Sequence, residues 1–246
     1  MGWYNQYVTP YLKRSYELRF IKPSYKIIDP LNPEYIIRKI EKCGRICYKS
    51  DESDEFEKAK EFVRKRIETK HDSIIEHFSF SVIFIVDRGI SHEMVRHRLA
   101  SFSQESTRYV NFCKNKFGNQ LTFIIPEWLP DLEEGEYYYN INNEVCHDKK
   151  SFVIDEITSK FIKELLEIEN LYMMLIKNGW TPEKARYILP NGIKTEIVVT
   201  AILREWRHIL KLRTEIYSHP QMREIMRPLL SELKSKIPVI FDDIEY

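Results

Sequence analysis

Apolar residues recur along this chain in two rhythms. Helical spacing runs through residues 32–50 and 54–70, with Asn32 and Asp54 placed to cap each start. It returns in residues 151–179, which end at Gly179, and in 204–217 and 219–236. Thr181 followed by Pro182 opens another helix, and Pro190 closes it. Ser91 is placed to cap a helix over residues 92–99. Period-two alternation is clearest at residues 78–89, where Phe78, Phe80, Val82 and Phe84 alternate. Residues 24–30, 121–129 and 194–203 are further candidate strands, and residues 71–77 are expected as a loop. Residues 1–23 are expected as an N-terminal extension, and residues 133–150 as a polar surface loop or lid. Helices and strands mix without βαβ regularity. The prediction is therefore α+β, a single domain with a central, mostly antiparallel sheet flanked by helices.

Composition narrows the functional classes. With 246 residues the chain can bury a sizeable core, and 43% hydrophobic with 30% charged residues fits a soluble globular protein. A net charge of +1 argues against nonspecific nucleic-acid binding. No apolar run is long enough to span a bilayer, and the first twenty residues lack the apolar core of a signal peptide. The four cysteines, Cys43, Cys47, Cys113 and Cys146, form no CxxC pair. They are expected as reduced thiols in a cytoplasmic protein.

Candidate chemistry is sorted by spacing. His92, Glu93 and His97 form HExxxH. Positions five apart on a helix diverge by roughly 140°, so the two histidines cannot share one metal face, and no metal site is expected. Cys146 beside His147 lies in the polar loop, with little to lower a thiol pKa. Seven glycines include no phosphate-cradling pattern, so any dinucleotide must be held by side chains. What remains is the run "RHRLASFSQESTRY", residues 96–109. It packs Arg96, Arg98 and Arg108 around His97 and several hydroxyls, a donor set suited to phosphate or carbonyl oxygens. Arg186, Arg204, Arg207 and Arg213 follow later, and Arg207 is expected on a solvated helix face.

Arg96-His97-Arg98, then seven residues, then Ser106, resembles the RHR-x7-S motif of the flavin-dependent thymidylate synthases. "GRICYKS", "HDSIIEH", "ARYILP", "LREWRHILKLR" and "HPQMREI" resemble further segments of that family in the right order. The resemblance covers most of residues 24–246, which it marks as the catalytic domain, and leaves out residues 1–23 and the loop near 131–150. It implies reductive methylation of dUMP to dTMP, with methylenetetrahydrofolate as carbon donor and FAD, reduced by NADPH, as cofactor. It also implies a homotetramer whose sites are shared between subunits, with no nucleic-acid or membrane partner.

Residue roles follow from the same resemblance. Ser73, Glu76, Arg96, His97, Arg98, Gln104, Arg204 and His208 match cofactor-binding positions. Glu93, Arg96, Gln104, Glu105, Ser106, Thr107, Arg108, Arg186 and Arg213 match positions that bind dUMP. Arg213 matches the catalytic arginine set against the uracil ring. Many relatives carry asparagine where this chain has Ile202. Two other readings stay open at this level: a flavoprotein reductase with another acceptor, and a non-catalytic nucleotide- or RNA-binding module.

Overall fold

The computed structural model describes residues 17–140, 144–148, 150–151 and 153–246. The first half of the chain runs β1 (Leu18–Ile21), β2 (Ser24–Ile27), α1 (Pro33–Tyr48), α2 (Phe56–Glu68), β3 (Ser79–Asp87), α3 (Arg88–Met94) and β4 (Ala100–Gln104). Next come β5 (Thr122–Ile124), β6 (Gly135–Tyr139), β7 (Val145–His147), β8 (Lys150–Ser151) and α4 (Glu156–Lys177). The chain finishes with α5 (Pro182–Ala185), β9 (Lys194–Ile202), α6 (Leu203–Arg213) and α7 (Pro220–Lys236). The α+β class is borne out. The strands, however, form two sheets rather than one, in the orders β5-β1-β6-β7-β8 and β2-β3-β9-β4.

Contacts sort the chain into two compact units. The first comprises residues 1–22 and 105–194, and the second residues 23–104 and 195–246. In the first, β1 pairs in parallel with β5 and antiparallel with β6. Leu18 and Phe20 alternate inward from β1, inside the stretch expected as an extension, and both are fully buried. They join Phe123, Tyr137, Ile162 and Tyr172 in one core, with α4 supplying the last two. Helix α4 starts later than its apolar pattern suggests, where Asp155 accepts from the backbone N–H groups of Ile157 and Thr158. The expected polar loop holds the β6–β7–β8 meander, and Cys146 is buried within it. An ion pair of 3.1 Å joins Glu105 to Lys194, the two ends of this unit's long segment.

In the second unit α1 and α2 bury Ile36, Ile37, Ile40, Ala59 and Val63 in the same core as β3, β9, α6 and α7. Asn32 caps α1 as expected, by accepting from Tyr35 N. Helix α2 begins at Phe56 without a side-chain cap, so Asp54 does not act as one. Residues 72–77 form a 3₁₀ turn rather than an open loop. Trp206 of α6 is fully buried, stacks on Phe80 with ring centres 5.0 Å apart, and donates its indole N–H to the Phe80 carbonyl. The C-terminal residues Ile237, Ile240, Phe241 and Ile244 complete this core.

Candidate functional site

Several of the predicted site residues of the second unit follow the end of β3. Asp87, not Ser91, caps the following helix, accepting from Ile90 N at 2.9 Å. Helix α3 stops at Met94, so the expected helix over 92–99 is cut short. The chain then turns, with Arg96 N bonded to the Glu93 carbonyl and His97 N to that of Met94. This turn aims His97 inward, 7% exposed, and leaves Arg96 and Arg98 in solvent. The serines of the motif continue as strand β4, paired with β9 from Ala100↔Ala201 to Gln104↔Ile197. Gln104 donates to the hydroxyls of Ser91 at 2.8 Å and Thr195 at 3.1 Å.

Arg213 closes α6 and gathers this turn. Its Nε donates to His97 Nε2 at 2.9 Å, one terminal nitrogen to Glu93 Oε2 at 2.9 Å, and the other to the Glu93 carbonyl at 3.0 Å. A guanidinium carries five N–H donors and no acceptor, so two donors remain for a ligand. Because arginine only donates, His97 Nε2 must hold its lone pair, and the hydrogen of the neutral ring lies on Nδ1. Burial, with the nearby Arg213 cation adding to it, pushes the His97 pKa down to about 4, so the ring is neutral at physiological pH.

His97 Nδ1 faces Glu205 Oε1 at 3.8 Å, and His208 lies edge-on to His97 with ring centres 5.9 Å apart. Glu205 is buried, and burial raises its pKa against the pull of His208. His97, Glu205 and His208 bring ligand atoms within 4.8 Å of one another, which is near metal-binding spacing. The hydrogen-bond pattern opposes a metal there: Nε2 of His97 is taken by Arg213, and Nδ1 carries the hydrogen.

These groups form one wall of a cleft of about 840 Å³, lined also by Glu76, Arg96, Arg98, Ile202 and Arg204. Arg204 is paired with Glu76 at 2.6 Å. Ser73 is exposed on the same 3₁₀ turn as Glu76 but does not line the cleft. Arg207 corrects the expectation of a solvated face. It is 6% exposed, paired with Asp243 and bonded to the Ile240 carbonyl, and it draws the Asp243 carboxyl below its usual range. Sequence reasoning also passed over Glu205. Its signal was the spacing Glu205-x-x-His208, which puts both on one helix face.

The remaining predicted residues belong to the first unit. Thr107 is buried, and Ser106 Oγ accepts from the backbone N–H of Arg108. Arg108 pairs with Glu183 of α5 at 3.2 Å, both side chains at least half exposed. Arg186, in the 3₁₀ turn that follows α5, is exposed. Glu105 is held by Lys194. Thr181 and Pro182 begin α5 as expected, without a side-chain cap bond.

Comparison with known proteins finds relatives over most of the chain. The family model described as thymidylate synthase complementing protein matches residues 32–239. A flavin-dependent thymidylate synthase of Corynebacterium aurimucosum is 30% identical over 208 residues, 83% of this chain and 78% of the relative. The protein of that name in Geobacter sulfurreducens is 30% identical over 207 residues, 81% of this chain and 78% of the relative. The one in Pyrococcus abyssi is 33% identical over 167 residues, 68% and 59% of the two chains. With the match running from the start of α1 to beyond α7, the chain belongs to the thymidylate synthase complementing protein family.

Proposed function

We propose that this protein is a flavin-dependent thymidylate synthase, which converts dUMP to dTMP. The observation that carries the reading is the bonding of Arg213 to Glu93 and to His97, the latter a lining residue of the arginine-rich cleft. FAD fits that cleft by volume, since ligand sites run to roughly 300–1,000 Å³, and by donor chemistry. Exposed Arg96 and Arg98 suit a diphosphate, while the inner wall offers the polar but neutral His97. Arg96, His97, Arg98, Arg204 and His208 are the residues that would hold it, with Glu76, Ser73 and Gln104 nearby in sequence or on the same elements. When bound, FAD supplies the hydride chemistry that links NADPH to the methylene group of methylenetetrahydrofolate.

The chain's own residues bind and polarise the nucleotide. The two N–H donors left on Arg213 can meet a uracil carbonyl, and the cation favours the imide anion, which enriches the carbon to be methylated. Glu93 fixes that guanidinium from the other side. By the family resemblance Gln104, Glu105, Ser106, Thr107, Arg108 and Arg186 belong to the nucleotide-binding set, whose arginines suit phosphate oxygens. The cysteines need no role: Cys146 is buried, and burial pushes the Cys113 thiol up, away from a reactive thiolate. A homotetramer with sites shared between subunits and a cytoplasmic location complete the reading. Among the described residues no helix is long and apolar enough to cross a membrane.

The test is an absorbance spectrum of protein reconstituted with FAD, with and without dUMP, followed by assay of dTMP with methylenetetrahydrofolate and NADPH. Flavin bands perturbed by dUMP, with dTMP formed, are expected. A colourless protein overturns the reading. A flavoprotein that oxidises NADPH without responding to dUMP is instead a reductase with another acceptor.

A further inference from the structure

Glu205 is the least explained group in the cleft wall. Its side chain is 7% exposed, it lines the cleft, and no hydrogen bond to it is made within the described residues. Its oxygens are open to the cleft and accept from no donor among the described residues, so an N–H of a bound ligand can meet them there. Its nearest partner, His97 Nδ1, stands 3.8 Å away, too far for a hydrogen bond. That nitrogen is a donor, because Arg213 holds the opposite nitrogen as acceptor. The wall therefore presents an N–H and a carboxylate side by side, neither satisfied by the other.

The nearby cations do not fill the gap. Arg204 is paired with Glu76, Arg207 with Asp243, and Lys211 lies 3.5 Å from Asp243. Arg96 and Arg98 extend into solvent. His208 comes within 4.8 Å of Glu205 but forms no ion pair with it.

We propose that His97 and Glu205 act as an adjacent donor–acceptor pair that reads the edge of a bound heterocycle carrying an N–H beside an acceptor atom. Three rings offered by the proposed reaction carry such an edge: the imide of the flavin ring, the imide of uracil, and the amino-pyrimidine edge of adenine. The inference rests on the cleft being a flavin and nucleotide cleft. It adds Glu205, which the motif does not contain, as a binding residue.

The experiment compares the wild type with Glu205→Gln, which keeps the side-chain volume, and Glu205→Ala. FMN, ADP and dUMP are the three probes, titrated by fluorescence quenching or calorimetry. One probe is expected to weaken by about tenfold to a hundredfold, the range for losing a charged acceptor. The other two should bind the variants as they bind the wild type, and the probe affected identifies the ring. An analogue of that probe, with every hydrogen on the donor nitrogen replaced by methyl, should bind the wild type weakly and lose nothing further in Glu205→Ala, because the two changes remove one bond. A wall that merely collapses would weaken all three probes and leave the methylation penalty unchanged, which overturns the proposal. So does a wild type that binds none of the three probes better than both variants bind it. If the wild type binds neither FAD nor dUMP, the functional reading falls first and takes the edge pair with it.

Discussion

Glu169 lies on the inner face of α4, 3% exposed, with its Oε2 buried and lacking a hydrogen-bond partner. Burial raises its pKa from the ordinary 4.5 to about 9, against the pull of a backbone hydrogen bond from Leu121. The native carboxyl is therefore protonated at neutral pH, whereas in the unfolded chain it ionises above 4.5. A folded pKa above the unfolded one gives stability that is full below pH 4.5 and falls as pH rises, by about 1.4 kcal/mol per pH unit, levelling off near pH 9. At pH 7 the cost is on the order of 3 kcal/mol, large against a total of roughly 5–15 kcal/mol. Glu169→Gln removes the titration but adds an amide N–H₂ where Oε2 has no acceptor to offer, a penalty of about 1–3 kcal/mol that does not vary with pH. The variant should thus be no more stable than wild type at pH 5 and gain on it steadily by pH 8. Urea denaturation of both proteins at one fixed concentration, at pH 5, 6, 7 and 8, measures the gap. Parallel curves across that range would refute the argument and require a native Glu169 that is ionised or paired.

Arg213→Ala is expected to cost roughly a hundredfold or more in dTMP turnover with a much smaller loss of flavin binding, and Arg213→Lys to recover only part, since the fork geometry is lost. Releasing His97 Nε2 in Arg213→Ala should also raise the His97 pKa from about 4, as an NMR titration would reveal; an unmoved pKa would mean the guanidinium does not hold the ring. Replacing all four cysteines by alanine should leave turnover intact while lowering the melting temperature, chiefly through the cavity at buried Cys146. Mixing inactive Arg98→Ala and Arg108→Ala chains under conditions of proven subunit exchange should restore activity if sites are shared, and permanent inactivity would remove that idea.

Much of the secondary structure was legible because one face of each long element is buried. α1, α4, α7, β3 and β9 all announce themselves by period. β1 did not: four residues, "LRFI", are too short for alternation to stand out, and only long-range pairing with β5 and β6 gives them a fold. "GEYYY" hid β6 because tyrosine serves buried and half-buried positions alike, and only Tyr137 of the three is fully buried. The division into two sheets was unreadable, since period reports which face of a strand is buried and not which strand lies beside it. In the site, the resemblance located Arg96, His97, Arg98 and Arg213. It could not supply the Arg213–His97 bond that fixes the imidazole tautomer, because those residues are 116 positions apart. Glu205 and Arg207 read as ordinary helix charges, and the partner of Arg207, Asp243, lies 36 residues away.

The Glu105–Lys194 ion pair has a bearing on the order of folding. Strands β4 and β9 pair Gln104 with Ile197, so the second unit's sheet must close over the whole segment between them. For a disordered chain that closure carries an entropy cost which grows with the logarithm of loop length, and non-local pairing of this kind slows folding. Once the first unit has formed, residues 105 and 194 are held 3.1 Å apart at their side chains, and the long loop becomes in effect a short one. The folded first unit then acts as a clasp, which shortens the closure that β4 and β9 must make.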